Sequence, residues 1–186
     1  MFIETEQTPN PATLKFLPGR AVLESGSVDF ATAAEAARSP LAERLFQVEG
    51  VVRVFLGSDF ISVTKATEKE WFVMKPALLG VIMEHFIAGS PVLLREEDAQ
   101  SEDDSENGPQ AEIIAQIKEL LDTRVRPAVA QDGGDITFRS FQDGVVYLNM
   151  RGACSGCPSS TATLKMGIEN MLRHYIPEVR EVRPVQ

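Results

Sequence analysis

The sequence predicts an α+β protein built as two small α/β-sandwich domains joined by an acidic flexible linker. Three observations predict it. Runs that alternate with a period of two, rich in Val, Ile, Phe and Thr, are interleaved with apolar stripes of helical period in both halves of the 186 residues. The charge is unevenly spread: residues 1–95 carry 11 acids and 9 bases, residues 96–110 carry 7 acids and no base, and residues 111–186 carry 9 of each. After that acidic stretch the elements run α-β-β-α-β, an order in which strand, helix and strand cross over to pair in parallel. The expected division is 1–95 for the first domain, 96–108 for the linker and 109–186 for the second.

In the first domain, Phe2 to Gln7 and Thr13 to Leu17 read as short strands separated by Pro9-Asn10-Pro11 and followed by Pro18-Gly19. Ser39-Pro40 is an N-cap followed by a first-turn proline, with Leu41, Leu45 and Phe46 at helical spacing and Gly50 expected to close the helix. Val51 to Leu56, then Gly57-Ser58-Asp59, then Phe60 to Lys65 predict a hairpin. A longer helix follows, with Trp71, Met74, Leu78, Val81, Ile82 and His85 on one stripe and an end near Gly89. His85 has no second histidine or cysteine beside it, so a backbone-satisfied boundary histidine is expected rather than a ligand.

The linker has no apolar residue larger than alanine and cannot bury enough surface to fold. Beyond it, Pro109 opens a helix with Ile113, Ile117, Leu120, Leu121 and Val125 on one stripe, which Pro127 is expected to end or kink. Asp132-Gly133-Gly134-Asp135 predicts a tight turn. Ile136, Phe138 and Ser140 then share one strand face, Asp143-Gly144 supplies the hairpin turn, and Val146, Leu148 and Met150 alternate on the return strand. A last helix carries Leu164, Ile168, Met171, Leu172 and Tyr175 inward until Pro177 stops it, with His174 at the surface and a strand over Val179 to Arg183.

Composition narrows the function classes. A hydrophobic content of 44% and a charged content of 24% fit a globular chain rather than a disordered one. Nearly all of the net charge of −9 belongs to the linker, so neither domain offers the basic footprint of a nucleic-acid binder. No apolar run approaches the roughly 20 residues that cross a bilayer, and no membrane partner is expected. The acidic, alternating start Met1 to Glu6 follows neither a signal-peptide nor a transit-peptide plan, and two closely spaced cysteines suit a reducing compartment. A cytosolic location is expected. There is no nucleophile triad, general base or phosphate loop, so no enzymatic turnover is expected.

Chemistry centres on Arg151-Gly152-Ala153-Cys154-Ser155-Gly156-Cys157-Pro158-Ser159-Ser160, which holds both of the chain's cysteines. Pro158 fits the first helical position, making Cys157 the N-cap and aiming the N–H groups of Ser159 and Ser160 at its sulfur. Flanking Gly and Ser residues and the adjacent Arg151 predict exposure and thiolate stabilisation. A thiol–disulfide oxidoreductase working through the Cys-x-x-Cys pair is one reading. A metal site is another. Tetrahedral zinc or an iron–sulfur cluster needs four ligands, and one chain offers two sulfurs, so such a site lies between two protomers or between this chain and a partner. Two ordinary buried thiols are the third.

The run Gly152 to Leu164, preceded by Arg126-Pro127 and Asp132-Gly133-Gly134-Asp135, resembles the C-terminal domain of the NifU family, the Nfu-type iron–sulfur carriers, over 109–186. Thr8 to Phe16 with Pro18-Gly19 resembles the N-terminal domain of mitochondrial and many bacterial Nfu proteins. The resemblance implies a carrier that holds a labile 4Fe-4S cluster between two protomers through Cys154 and Cys157 of each, receives it from an upstream donor and transfers it to apo-proteins. It implies a homodimer formed through the cluster. The scaffold and ferredoxin-like domains found in nitrogen fixers are lacking, which favours carriage over assembly. With no transit peptide in view, a bacterial cytosol is expected ahead of a mature mitochondrial matrix form.

Overall fold

The computed structural model describes residues 2–94, 110–155 and 158–185. The predicted linker, Pro109, Gly156 and Cys157 lie outside those residues. The chain divides into two compact units, Met1–Ser101 and Glu102–Gln186.

The first unit is a five-stranded antiparallel sheet under two helices. Its elements are β1 (Glu4–Gln7), β2 (Thr13–Leu17), β3 (Val28–Phe30), α1 (Pro40–Phe46), β4 (Val51–Leu56), β5 (Ile61–Lys65) and α2 (Trp71–Ala88), with strand order β1-β2-β5-β4-β3. Alternation sends Leu14 and Phe16, Val54 and Leu56, and Ile61 and Val63 to one face, where Leu41, Leu45, Met74, Leu78 and Ile82 of the helices meet them. Ser39 caps α1 as expected, its Oγ accepting from Ala42 N–H at 3.1 Å, with Pro40 as the first helical residue. Gly89 ends α2 in the left-handed region at φ 67°.

Two expectations for this unit change. Gly50 does not close α1, which ends at Phe46; at φ 100° it is the bend that opens β4. β3 and a 3₁₀ turn over Glu35–Arg38 had no clear sequence signal, because three residues are too few to show a period. α2 is also long and apolar enough, by length and composition, to cross a bilayer, although Lys75, Glu84 and His85 interrupt the run. One side of it, Met74, Leu78 and Ile82, packs into the first core, and His85 is buried on the same helix.

The second unit realises the predicted α-β-β-α-β order. A helical segment made of α3 (Ala111–Leu120), a π turn (Leu121–Val125) and α4 (Arg126–Gln131) leads into β6 (Gly134–Gln142), β7 (Val145–Gly152), α5 (Pro158–Tyr175) and β8 (Glu181–Val185). β6 and β7 pair antiparallel, while β8 returns through α5 to lie parallel to β7. The core is closed by Ile117, Leu121, Ile136, Val146, Leu148, Ile168, Leu172 and Val182.

Pro127 does not end the helix. Arg126 N–H bonds to the Leu121 carbonyl, a π-type step that widens the turn before the proline, so its ring is accommodated and α4 continues. A bulge between Phe138 and Ser140 shifts the register of β6, so Phe141 rather than Ser140 is buried beyond it. Asp143 (φ 51°) and Gly144 (φ 79°) form the predicted two-residue turn. Tyr175 is 48% exposed, and Ile176 takes the inward position instead. The last strand starts at Glu181, two residues after the buried Val179.

Candidate functional site

The cysteine turn is shaped by three backbone features. β7 ends at Gly152, whose φ of 61° turns the chain away from the sheet. Ala153 N–H then bonds back to the Gly133 carbonyl at 3.2 Å, and Ser155 N–H to the Gly152 carbonyl at 3.1 Å. Gly134 faces Gly152 across the first rung of the β6–β7 ladder.

That rung explains the double glycine. Gly133 adopts φ 78°, so its freedom is conformational. Gly134 is needed for space: a Cβ there would lie 2.5 Å from Cys154 Sγ, 3.0 Å from the Arg151 carbonyl oxygen and 3.1 Å from Cys154 N. The sulfur occupies the room that the missing side chain leaves.

Cys154 is therefore buried, 6% exposed, and packs with the second core. This corrects the expectation of an exposed thiol. Small flanking residues suggested openness along the chain, but the sulfur packs into the space that Gly134 leaves across the ladder. Cys157, with its predicted N-cap contact, lies outside the described residues; Pro158 opens α5 as expected. Among the described residues, no group of three or more His, Cys, Asp and Glu side chains is placed to hold a metal ion.

Beside Gly134, Asp135 is 4% exposed and clamps Arg126. Arg126 Nε donates to Asp135 Oδ1 at 2.9 Å and Nη2 to Oδ2 at 3.0 Å, while Nη1 donates to Asp122 at 3.0 Å. Asp135 Oδ1 also accepts Ile136 N–H at 2.8 Å. The Asp135 hydrogen bonds hold the guanidinium pKa above its ordinary value, outweighing burial. The fork fixes the start of α4 to the start of β6, one residue from the glycine that makes room for Cys154. Gly134 and Asp135 were read as part of a turn and of the motif that carries the family resemblance, with no role assigned to either; the signal for their role was the doubled glycine, whose second member a turn alone does not require.

The two histidines lie apart from this turn. His174 is exposed and sits edge-on to Tyr175 at 5.0 Å between centroids. His85 is 1% exposed, and neither ring nitrogen has a hydrogen-bond partner, contrary to the expected backbone-satisfied boundary residue. Burial, and then Arg44, push its pKa below the ordinary value; the Ser90 backbone pulls the other way without reaching hydrogen-bond geometry.

Comparison with known proteins places this geometry. Residues 3–89 match the profile described as scaffold protein Nfu/NifU N terminal, and residues 117–183 match the NifU-like domain. The chain is 53% identical over 189 residues to the human mitochondrial NFU1 iron-sulfur cluster scaffold homolog, covering 100% of this chain and 72% of that protein. The chain belongs to the Nfu family. The mitochondrial NifU-like protein 4 of Arabidopsis thaliana is 50% identical over 184 residues, covering 98% of this chain and 65% of its own length. Among solved structures, a NifU-like protein from Saccharomyces cerevisiae aligns at a TM-score of 0.47 and 26% identity, over 51% of this chain and 86% of that one.

The family is one of iron–sulfur cluster scaffolds rather than enzymes, as the sequence led us to expect. The expected bacterial cytosol is overturned. Relatives about half identical over essentially the whole chain are mitochondrial proteins, and they point to mitochondria. The misreading came from taking the composition of Met1 to Glu6 and the cysteine spacing as an address, which neither is.

Proposed function

We propose that this Nfu chain carries a labile 4Fe-4S cluster shared between two protomers, ligated by Cys154 and Cys157 of each, and delivers it to apo-proteins after receiving it from an upstream donor. The observation that carries the reading is the seat of Cys154. A thiol is held in the space beside Gly134, on a turn between a strand and an 18-residue helix, in a chain with two cysteines in all. Soft sulfur donors in a dry, glycine-lined turn suit iron–sulfur ligation, and half of a four-thiolate set per chain requires a second chain.

The chain's own groups add only modestly to the hold. The N-terminal end of α5 would offset part of the negative charge of a tetrathiolate cluster, contributing about 0.3 to 1 kcal/mol per favourable group. Client cysteine thiols replace the four ligands one at a time, each passing its proton to the departing sulfur. Release of the last ligand also separates the protomers.

Anaerobic reconstitution with ferric iron, excess dithiothreitol and sulfide tests the reading. About two iron atoms per chain on a dimer are expected. Cys154→Ser and Cys157→Ser each abolish loading while the chain stays folded. A colourless dimer with about half a zinc per chain would indicate a structural zinc bridge. Disulfide reduction by metal-free protein would indicate the oxidoreductase alternative. A loaded monomer with no outside thiol bound would overturn the shared-cluster reading outright.

A further inference from the structure

α5 starts directly after the cysteine turn and runs from Pro158 to Tyr175. Its inner side packs Leu164, Ile168, Met171 and Leu172 into the core. On the outer side Ala162, Thr163, Met166, Gly167 and Asn170 are exposed, Met166 by 68%. None of these residues is charged. The charged side chains of the same stretch lie on the flanks and are engaged within the chain. Lys165 Nζ is 3.8 Å from Glu181 Oε1, and Glu169 accepts Val182 N–H at 3.2 Å and lies 3.7 Å from Arg173 Nη1.

Gly167 lies on this face. Glycine in a helix interior weakens the helix relative to alanine. As at Gly80 of α2, a Cβ at 167 would meet nothing within 4 Å among the described residues, so no packing described inside the protomer requires glycine there.

The occupant follows from the ligand count. This step rests on the proposed function: if the two cysteines of one chain hold half a cluster, the other half must be brought to the same end of α5 by a second copy. In a two-fold dimer, residues near the axis meet their own counterparts, so a charge there faces a like charge. An uncharged face avoids that repulsion, and glycine lets two backbones approach closely. We propose that the face formed by Ala162, Thr163, Met166, Gly167 and Asn170 is where the second copy of this chain packs when the cluster is shared, the two α5 helices crossing near Gly167.

Gly167→Leu and Met166→Glu, loaded anaerobically with ferric iron, excess dithiothreitol and sulfide, test this by sedimentation velocity over a concentration series with iron counted per chain. Both apo variants are expected to unfold at or above the wild-type temperature. Their loaded dimers are expected to dissociate at a concentration at least about tenfold higher than wild type. Arg139→Glu, at an exposed position on β6, is expected to leave that concentration unchanged. Variants that dimerise like wild type overturn the surface alone, and slowed delivery to an apo-protein with unchanged dimerisation would assign the face to the client. A wild-type chain that loads as a monomer brings down the shared-cluster reading, and this surface with it.

Discussion

At the scale of single residues, the site depends on a glycine chosen for volume. Gly134→Ala would force a Cβ into contact with Cys154 Sγ and two backbone atoms at 2.5 to 3.1 Å. Overpacking of this kind costs about 1 to 3 kcal/mol. The urea midpoint of the second unit should fall accordingly, and iron loading with it. In a Cys154→Ala background the cost should shrink, because the nearest clash is gone; an equal cost in both backgrounds would show that the thiol is not what Gly134 accommodates. The Arg126–Asp135 fork makes a second prediction, through asymmetry. Asp135 is 6% exposed at its side chain and Arg126 33%. Arg126→Met takes the counter-charge from a buried carboxylate that keeps its Ile136 N–H bond, whereas Asp135→Asn leaves Arg126 with Asp122 and water. The arginine variant should therefore be the less stable, and the reverse order would contradict the geometry. His85 gives a pH dependence with a definite sign. Its folded pKa lies below the ordinary 6.5, so between those two values the unfolded chain binds the proton and the folded chain does not. Stability is unaffected above about pH 6.5, falls as pH drops through that window by at most about 1.4 kcal/mol per pH unit, and levels off below the folded pKa. Trp71, the chain's one tryptophan, sits on α2 and reports the first unit by fluorescence. Its urea midpoint should fall between pH 7 and pH 5.5 in wild type and change less in His85→Leu; identical pH slopes would remove His85 as the cause.

At the scale of elements, what the sequence made legible was whatever short-range chemistry decides. Ser39-Pro40 opened α1 and Asp143-Gly144 turned β6 into β7, because a cap needs one side-chain oxygen and a two-residue hairpin needs two positive φ angles. The core faces of β7 and α5 were legible through their periods, with Val146, Leu148, Ile168 and Leu172 all buried. The errors came where a backbone insertion shifts the period. The bulge beside Phe138 exchanged Ser140 for Phe141. At Pro127, where an end or a kink was expected, a π turn interrupts the regular helix and the chain stays helical beyond it. The burial of Cys154 was illegible for a different reason: it depends on Gly134 across the ladder, a contact that no local window contains. A control follows for the glycine argument. Gly144 holds φ 79°, a Cβ there would lie 2.9 Å from Arg180 Cγ, and its carbonyl accepts Arg180 N–H at 2.7 Å ahead of β8. Gly144→Ala should destabilise the second unit by about 1 to 2 kcal/mol. The turn lies at the far end of the hairpin from Cys154. Iron bound per folded chain should therefore match wild type, unlike that of Gly134→Ala.

At the scale of the whole molecule, cluster and assembly are expected to be one equilibrium. The exposed face of α5 spans residues 162 to 170 and carries one large apolar side chain, Met166. Stable specific interfaces bury about 1,200 to 2,000 Å² in total, more than so short a helix face supplies by itself. The four sulfur–iron bonds would supply the remainder, and by linkage anything that stabilises the shared cluster stabilises the dimer in the same measure. Weak protein contacts are then a requirement of delivery, since a face sticky enough to hold apo-chains together would also keep client thiols from the cluster. Stripping the iron with an anaerobic chelator should convert the dimer to monomer in step with the loss of visible absorbance, and re-addition of iron and sulfide should reverse both. An apo-dimer that persists at micromolar concentration after chelation would show that protein surface, and not the shared ligand set, joins the two chains.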